Sequence, residues 1–398
     1  MPAPLLVRRL DTDIRLGRIA GIPVGMNWSL LLIFALITWS LAAGVLPAEV
    51  RGQPGVLYWA VGLVIALLFF ASIVTHELAH AIVARRSGQH VSEITLWLFG
   101  GVSKLGGDAG TPAIEATVAI VGPLTSLSVA VVVALVGLAV GAAGAPAILV
   151  AGLYWLAGIN VALGLFNLVP GFPLDGGRLL RALLWRWRGD RVRATSQAAA
   201  VGRFFGFALA ALGLLEFFVS SDLIGGLWLV FLGWFLRSAA GAEETQVMKT
   251  QALSGVRVAD LMTPNPVVLP GSISVQEFLW TGPSQHRFTT FPVTSADGNV
   301  VGLVSLRRLL QVPEAARRET VLSDIVDPLS NVATARPSDP VTEVLSHMGP
   351  AGEGRVLVFD GDRLAGIVSP RDIAGAIPIL RARAGSRRPA PPFPGRLD

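Results

Sequence analysis

His76-Glu77-Leu78-Ala79-His80 places two imidazoles four residues apart. On an α-helix that spacing puts both on one face, where they can share a metal ion, and the glutamate beside the first can reach a water on the same ion. Such a helix normally belongs to a soluble zinc hydrolase. Here the residues before it read Leu67-Leu68-Phe69-Phe70-Ala71-Ser72-Ile73-Val74-Thr75, within an apolar run from about Val56 to Val83 that is long enough to cross a bilayer. Two histidines and a carboxylate are unfavourable in lipid, so by default they mark a functional site. The motif points to metal-assisted hydrolysis inside a membrane.

A catalytic zinc needs three protein ligands and one open position. The 398 residues include no cysteine, which excludes thiolate ligands and disulfides and leaves His, Asp or Glu. The third candidate is Asp175, in Asn167-Leu168-Val169-Pro170-Gly171-Phe172-Pro173-Leu174-Asp175-Gly176-Gly177. Its prolines and paired glycines break the backbone, and irregular backbone at membrane depth is tolerated only where protein buries it or it lines a water-filled cavity. Two readings of Asp175 are open on spacing alone: a metal ligand, or the N-cap of a helix over Gly177–Trp187. Asn160 and Asn167, at i and i+7 on one helical face, are candidates to hydrogen-bond an extended substrate backbone, or to hold neighbouring spans together. His90, beyond the motif helix, is expected to be an ordinary loop residue, and His286 and His347 have no metal-like partners.

The elements that position these residues follow from composition. The chain is 52% hydrophobic and 15% charged, too apolar for an ordinary soluble protein. Six spans are expected, at about Trp28–Leu46, Leu57–Val83, Ile114–Val140, Ala147–Val169, Val201–Val219 and Leu223–Ala240. The first follows Arg8, Arg9, Arg15 and Arg18 and is read as an uncleaved span. Arginine-rich connections (Arg85 and Arg86 with Lys104; Arg178, Arg181, Arg186, Arg188, Arg191 and Arg193) alternate with poor ones through all six crossings. By the positive-inside rule both termini are cytoplasmic, and the metal helix ends near the cytoplasmic face. The net charge of +5 reflects this topology, and no nucleic-acid partner is expected.

Near Met248 the apolar runs shorten to strand length and a repeat appears. Asp260 and Asp324, Gly302 and Gly366, and Ser305 and Ser369 are each 64 positions apart. A fixed offset argues for two duplicated units that pack together. Past Ile379 the prolines and arginines read as a disordered basic tail. The expected division is 1–245 for the membrane domain, 246–380 for the paired repeats (about 256–311 and 321–378), and 381–398 for the tail.

His76-Glu77-Leu78-Ala79-His80, Gly122-Pro123 and the stretch from Asn160 to Gly177, with Ile19-Ala20-Gly21-Ile22-Pro23-Val24 and Leu96-Trp97-Leu98-Phe99-Gly100-Gly101, together resemble the site-2 protease family of intramembrane zinc metalloproteases. The resemblance covers about the first 240 residues. It implies that His76, His80 and Asp175 bind one Zn²⁺ per chain and that Glu77 acts on the water, taking its proton and returning it to the leaving amine. It also implies a transmembrane protein substrate, such as an anti-sigma factor, and a bacterial plasma membrane. For the residues around Gly100–Gly107 it implies a hairpin dipping toward the site, although an ordinary surface loop fits the sequence equally well. The repeat resembles a tandem of CBS domains, which implies an adenine nucleotide bound near Ser369 and Asp372 or, alternatively, a pair that only dimerises. In the first repeat Arg308 stands where the carboxylate would be, which weakens the case for a second site.

The expected fold is thus a polytopic α-helical membrane protein of about six helices followed by an α/β tandem CBS module. The expected function is an intramembrane zinc endopeptidase performing regulated intramembrane proteolysis. A CBS-bearing transporter or binding scaffold without enzymatic activity is the alternative, and the intact set His76, Glu77, His80 and Asp175 argues against it.

Overall fold

In the computed structural model residues 14–97, 100–106, 110–219, 223–285, 288–348 and 351–385 are described. The chain opens on a hairpin. β1 (Ile14–Ile19) pairs antiparallel with β2 (Ile22–Met26), Ile19 facing Ile22. Ala20 and Gly21 form the turn with φ of 51° and 77°, the two-residue geometry whose twist matches the flanking strands. The first span follows as α1 (Ser29–Ser40), a π-helical turn over Leu41–Val45, and α2 (Leu46–Glu49). Next come the motif helix α3 (Gly55–Arg86), β3 (His90–Trp97) and β4 (Gly100–Gly106).

β3 lies parallel to β2 and antiparallel to β4, giving a four-stranded sheet in the order β1-β2-β3-β4. Gly100–Gly106 is therefore a paired strand rather than a loop, Gly107 lies outside the described residues, and His90 begins a strand. Ile22, Val24, Ile94 and Leu96 form the buried face of this sheet with Leu30 and Ala81. Arg85 Nη1 donates to the Ala20 carbonyl at 2.8 Å, fixing the first turn to the end of α3.

The remaining helices of this region are α4 (Pro112–Ala142), α5 (Ala147–Asn167), α6 (Asp175–Arg188), α7 (Arg191–Val219) and α8 (Leu223–Leu253). Among the described residues six helices are long and apolar enough to cross a membrane, Ser29–Glu49 counting as one and α6 not among them. Their faces carry exposed Leu36, Leu67, Val132, Phe207, Leu215 and Trp228, an outer surface suited to lipid rather than water. The last two helices outrun the expected spans, α7 starting at Arg191 and α8 ending at Leu253. Their polar ends contain no proline or helix-breaking pair, so the hydrogen-bonded ladder continues beyond the apolar stretch.

Contacts divide the chain into two units, Met1–Val247 and Met248–Asp398. The second contains β5 (Thr263–Pro264), β6 (Leu269–Pro270), α9 (Val275–Gln285), β7 (Thr290–Thr294), β8 (Val300–Ser305) and α10 (Leu306–Gln311). It continues with β9 (Asp327–Pro328), β10 (Ala333–Ala335), α11 (Val341–His347), β11 (Val356–Asp360), β12 (Arg363–Val368) and α12 (Pro370–Gly385).

Its two sheets run β6-β7-β8-β9 and β10-β11-β12-β5, so each repeat lends its first short strand to the other's sheet. Gly302 pairs with Pro328 and Gly366 with Pro264, matching registers that express the duplication. Leu303, Val332 and Leu357 seal the contact between the repeats. α12 runs to Gly385, past the start expected for the tail, because Leu380-Arg381-Ala382-Arg383-Ala384 consists of strong helix formers. Residues 386–398 lie outside the described residues.

Candidate metal centre

α3 carries His76 and His80 on one face, and both are buried, at 4% and 5% exposure. Their Nε2 atoms lie 3.2 Å apart. Asp175, the first residue of α6, reaches the same point: its Oδ2 is 3.3 Å from His76 Nε2 and 3.1 Å from His80 Nε2. Leu174 holds the N-cap position with an extended backbone, so the Asp175 side chain is not spent on capping. The N-cap reading of Asp175 is thereby displaced.

The far sides of the rings are also occupied. His80 Nδ1 donates to the Val118 carbonyl at 2.6 Å. A carbonyl only accepts, so the hydrogen of a neutral His80 sits on Nδ1 and the Nε2 lone pair faces the cluster. His76 Nδ1 lies 2.9 Å from Ser126 Oγ, an equivalent anchor. Both partners come from α4. Partners of this kind orient metal-binding histidines in known sites. Between Val118 and Ser126, Gly122 leaves room for the rings. A Cβ there would overlap His80 Nε2 and stand 2.7 Å from His76 Nε2.

Donor atoms 2.0–2.1 Å from a tetrahedral zinc stand about 3.3 Å apart. The three separations in this cluster, 3.1–3.3 Å, fit that spacing. Among the described residues His76, His80 and Asp175 are the only group of three or more such side chains arranged to hold a metal. Glu77 follows His76 on α3, is half-buried and is not one of that group of three.

The loop that delivers Asp175 is built to fold back tightly. Gly171 N donates to the Val169 carbonyl at 2.8 Å and Gly177 N to the Leu174 carbonyl at 2.9 Å. A Cβ on Gly177 would overlap the backbone of Gly171 and Phe172, so the first turn of α6 closes on its own approach segment.

The amide N–H groups of Asn160 and Asn167 bond within their own helix. Asn160 Nδ2 donates to the Leu156 carbonyl at 2.9 Å and Asn167 Nδ2 to the Leu163 carbonyl at 3.0 Å, each within α5. Asn160 is wholly buried and its Oδ1 has no partner among the described residues, whereas Asn167 is half-buried.

A protein-family comparison matches residues 64–142 and 139–212 to peptidase family M50, and residues 258–314 and 322–379 to the CBS domain. Rip3 of Mycobacterium tuberculosis is 48% identical over 369 residues, 92% of this chain and 93% of that one. The chain belongs to peptidase family M50. A zinc metalloprotease of Methanocaldococcus jannaschii is 30% identical over 376 residues, covering 94% of this chain and 98% of that one. The solved site-2 protease from Methanocaldococcus jannaschii is 31% identical and covers 58% of this chain and 94% of that one, with a TM-score of 0.41. This M50 peptidase is a multi-pass membrane zinc metalloprotease with a tandem of CBS domains, and regulated intramembrane proteolysis is the role of its family.

Ser369 and Asp372 belong to the other unit of the M50 peptidase. Ser369 N and Ser369 Oγ both donate to Asp372 Oδ2, at 2.8 and 2.6 Å, and Asp372 N donates to Ser369 Oγ at 3.3 Å. The pair closes a reciprocal cap at the start of α12. In the first repeat Ser305 Oγ accepts from Arg308 N at 3.3 Å, and the Arg308 side chain instead pairs with Asp327 of the exchanged strand β9. Three groups on α4 have no motif to mark them in the sequence alone: Ser126 and the Val118 carbonyl, which hold the rings, and the buried Glu115 one turn before Val118. A serine one turn past Gly122 on an apolar helix was the available sign for the first. The others depend on tertiary contact.

Proposed function

We propose that this M50 peptidase hydrolyses a peptide bond of a membrane-anchored regulator, of the anti-sigma-factor class, within the bilayer. What carries the reading is the convergence of His76 Nε2, His80 Nε2 and Asp175 Oδ2 at 3.1–3.3 Å, with both histidines on a helix long and apolar enough to cross a membrane. In the proposal these three side chains hold one zinc. Zinc, when bound, lowers the pKa of a coordinated water and polarises the scissile carbonyl. Glu77 accepts the proton from the attacking water on its carboxylate and delivers it to the leaving amine. Val118 and Ser126 keep the two rings turned inward, and Asp175 arrives from a loop rather than from the motif helix, so the centre is assembled by α3, α4 and α6 together.

Asn167, half-buried at the end of α5, offers its Oδ1 to a substrate N–H. Such a substrate must be locally extended, because a helix engages its carbonyls in i→i−4 bonds. The arginine pattern supports both termini and the CBS pair in the cytoplasm, with product release on that side, and the family resemblance suggests a bacterial plasma membrane. For the CBS pair we propose an adenine nucleotide near Ser369 and Asp372, the residue types that contact phosphate and ribose in the CBS pattern, together with self-association through the repeats.

The test is cleavage of single-span peptides by the purified full chain in detergent. A span containing a Gly-Pro pair is cut faster than an all-Leu span, and a chelator stops both reactions, reversed by added zinc. Chelator-insensitive cleavage sinks the reading.

A further inference from the structure

Arg181 belongs to the basic series on α6 that marks the cytoplasmic side of the membrane. Arg186 and Arg188 are exposed as that role requires, but Arg181 is 5% exposed. Its Nε donates to Glu115 Oε1 at 2.6 Å, its Nη2 reaches the same oxygen, and its Nη1 reaches Glu243 Oε1 at 3.2 Å. Its guanidinium carbon lies 4.8 Å over the ring of Phe172. Glu115 is wholly buried, and its Oε2 has no hydrogen-bond partner among the described residues.

These contacts join the two halves of the metal centre. Phe172 lies three residues before Asp175 in the approach loop, and Arg181 lies under two turns after it on α6. Glu115 lies one turn before Val118 on α4, and the Val118 carbonyl accepts the hydrogen bond from His80 Nδ1. One planar guanidinium thus ties the segment that delivers a ligand to the helix turn that orients another. A buried ion pair contributes little to stability compared with an apolar pair of similar volume. What it supplies here is register, because the arginine fork accepts its carboxylates in few geometries.

We propose that Arg181 is a positioning residue: it holds Asp175 and the Val118 carbonyl at the spacing that makes the cluster bind zinc tightly. The inference rests on the zinc reading above. Its test is the zinc dissociation constant of the full chain in detergent, measured by chelator competition beside thermal melting. Arg181→Met combined with Glu115→Gln removes both buried charges and preserves packing volume. The expected result is a melting temperature near wild type with zinc affinity reduced about tenfold or more, the range found for groups that orient metal ligands.

Should that variant fail to fold, Arg181→Lys decides in the same way, since lysine keeps the charge and loses the fork. Wild-type zinc affinity in a folded variant, with wild-type zinc bound normally, overturns the inference alone. A wild-type chain that binds no zinc overturns the zinc reading, and this inference with it.

Discussion

Asp175 and Asp372 both sit in the first turn of a helix, where the dipole favours a carboxylate, yet the two are used in opposite ways. Asp372 is drawn back to Ser369 and satisfies the backbone at the start of α12. Asp175 leaves the cap of α6 to Leu174 and extends to two imidazoles of another helix. The surroundings decide. Asp372 has a serine three residues earlier and Pro370 opening the helix, the composition of a reciprocal cap. Asp175 is preceded by Phe172-Pro173-Leu174, which offers no hydroxyl, so the carboxylate finds its partners across the fold. A carboxylate at a helix start is available for chemistry when its own helix does not need it.

That contrast can be broken by substitution, and the largest effect is expected beside Asp175. Glu77→Gln removes the proton carrier and leaves the three donor atoms in place. Cleavage of a transmembrane peptide falls by about 10²–10⁴-fold, while bound zinc measured by elemental analysis is unchanged. Retained turnover would contradict the role given to Glu77. Next in size is Gly122→Ala, whose methyl group must displace the His76 and His80 rings. Zinc affinity and cleavage then drop together, by about 10–100-fold. The same substitution at Gly158, where a Cβ meets nothing within 4 Å, leaves both unchanged.

The smallest effect lies in the other carboxylate. Asp372→Ala removes a cap and lowers the stability of the C-terminal unit by about 1 kcal/mol, seen as an earlier melting transition, with zinc content unaltered. Loss of zinc in Asp372→Ala would erase the distinction between the two sites.

Much of this was legible in the sequence because it is local. The 3.6-residue period alone puts His76 and His80 on one face, and the length of the apolar runs alone yields six spans. The CBS repeat was legible in the common spacing of Asp260, Gly302 and Ser305 from their counterparts, and the structure adds the exchange of β5 and β9. Asp175 stood between two readings because spacing says nothing about which way a carboxylate turns across 95 residues of chain.

β1 and β2 went unread. Their sign was the Ala20-Gly21 turn between two short apolar stretches, obscured by Pro23 and two arginines. In the sequence Arg181 is one more cation between spans, since charge alone does not distinguish an arginine facing water from one buried against Glu115. Register across a sheet or between helices is set by tertiary packing, and a sequence records it only through gaps such as Gly122.

The most direct test of the central claim is the zinc content of the purified wild-type chain beside Asp175→Ala, both folded by thermal melting and analysed after the same dialysis. The account predicts one zinc per wild-type chain and a clear deficit in the variant. A full complement of zinc in Asp175→Ala, or an active wild-type chain without zinc, would contradict it.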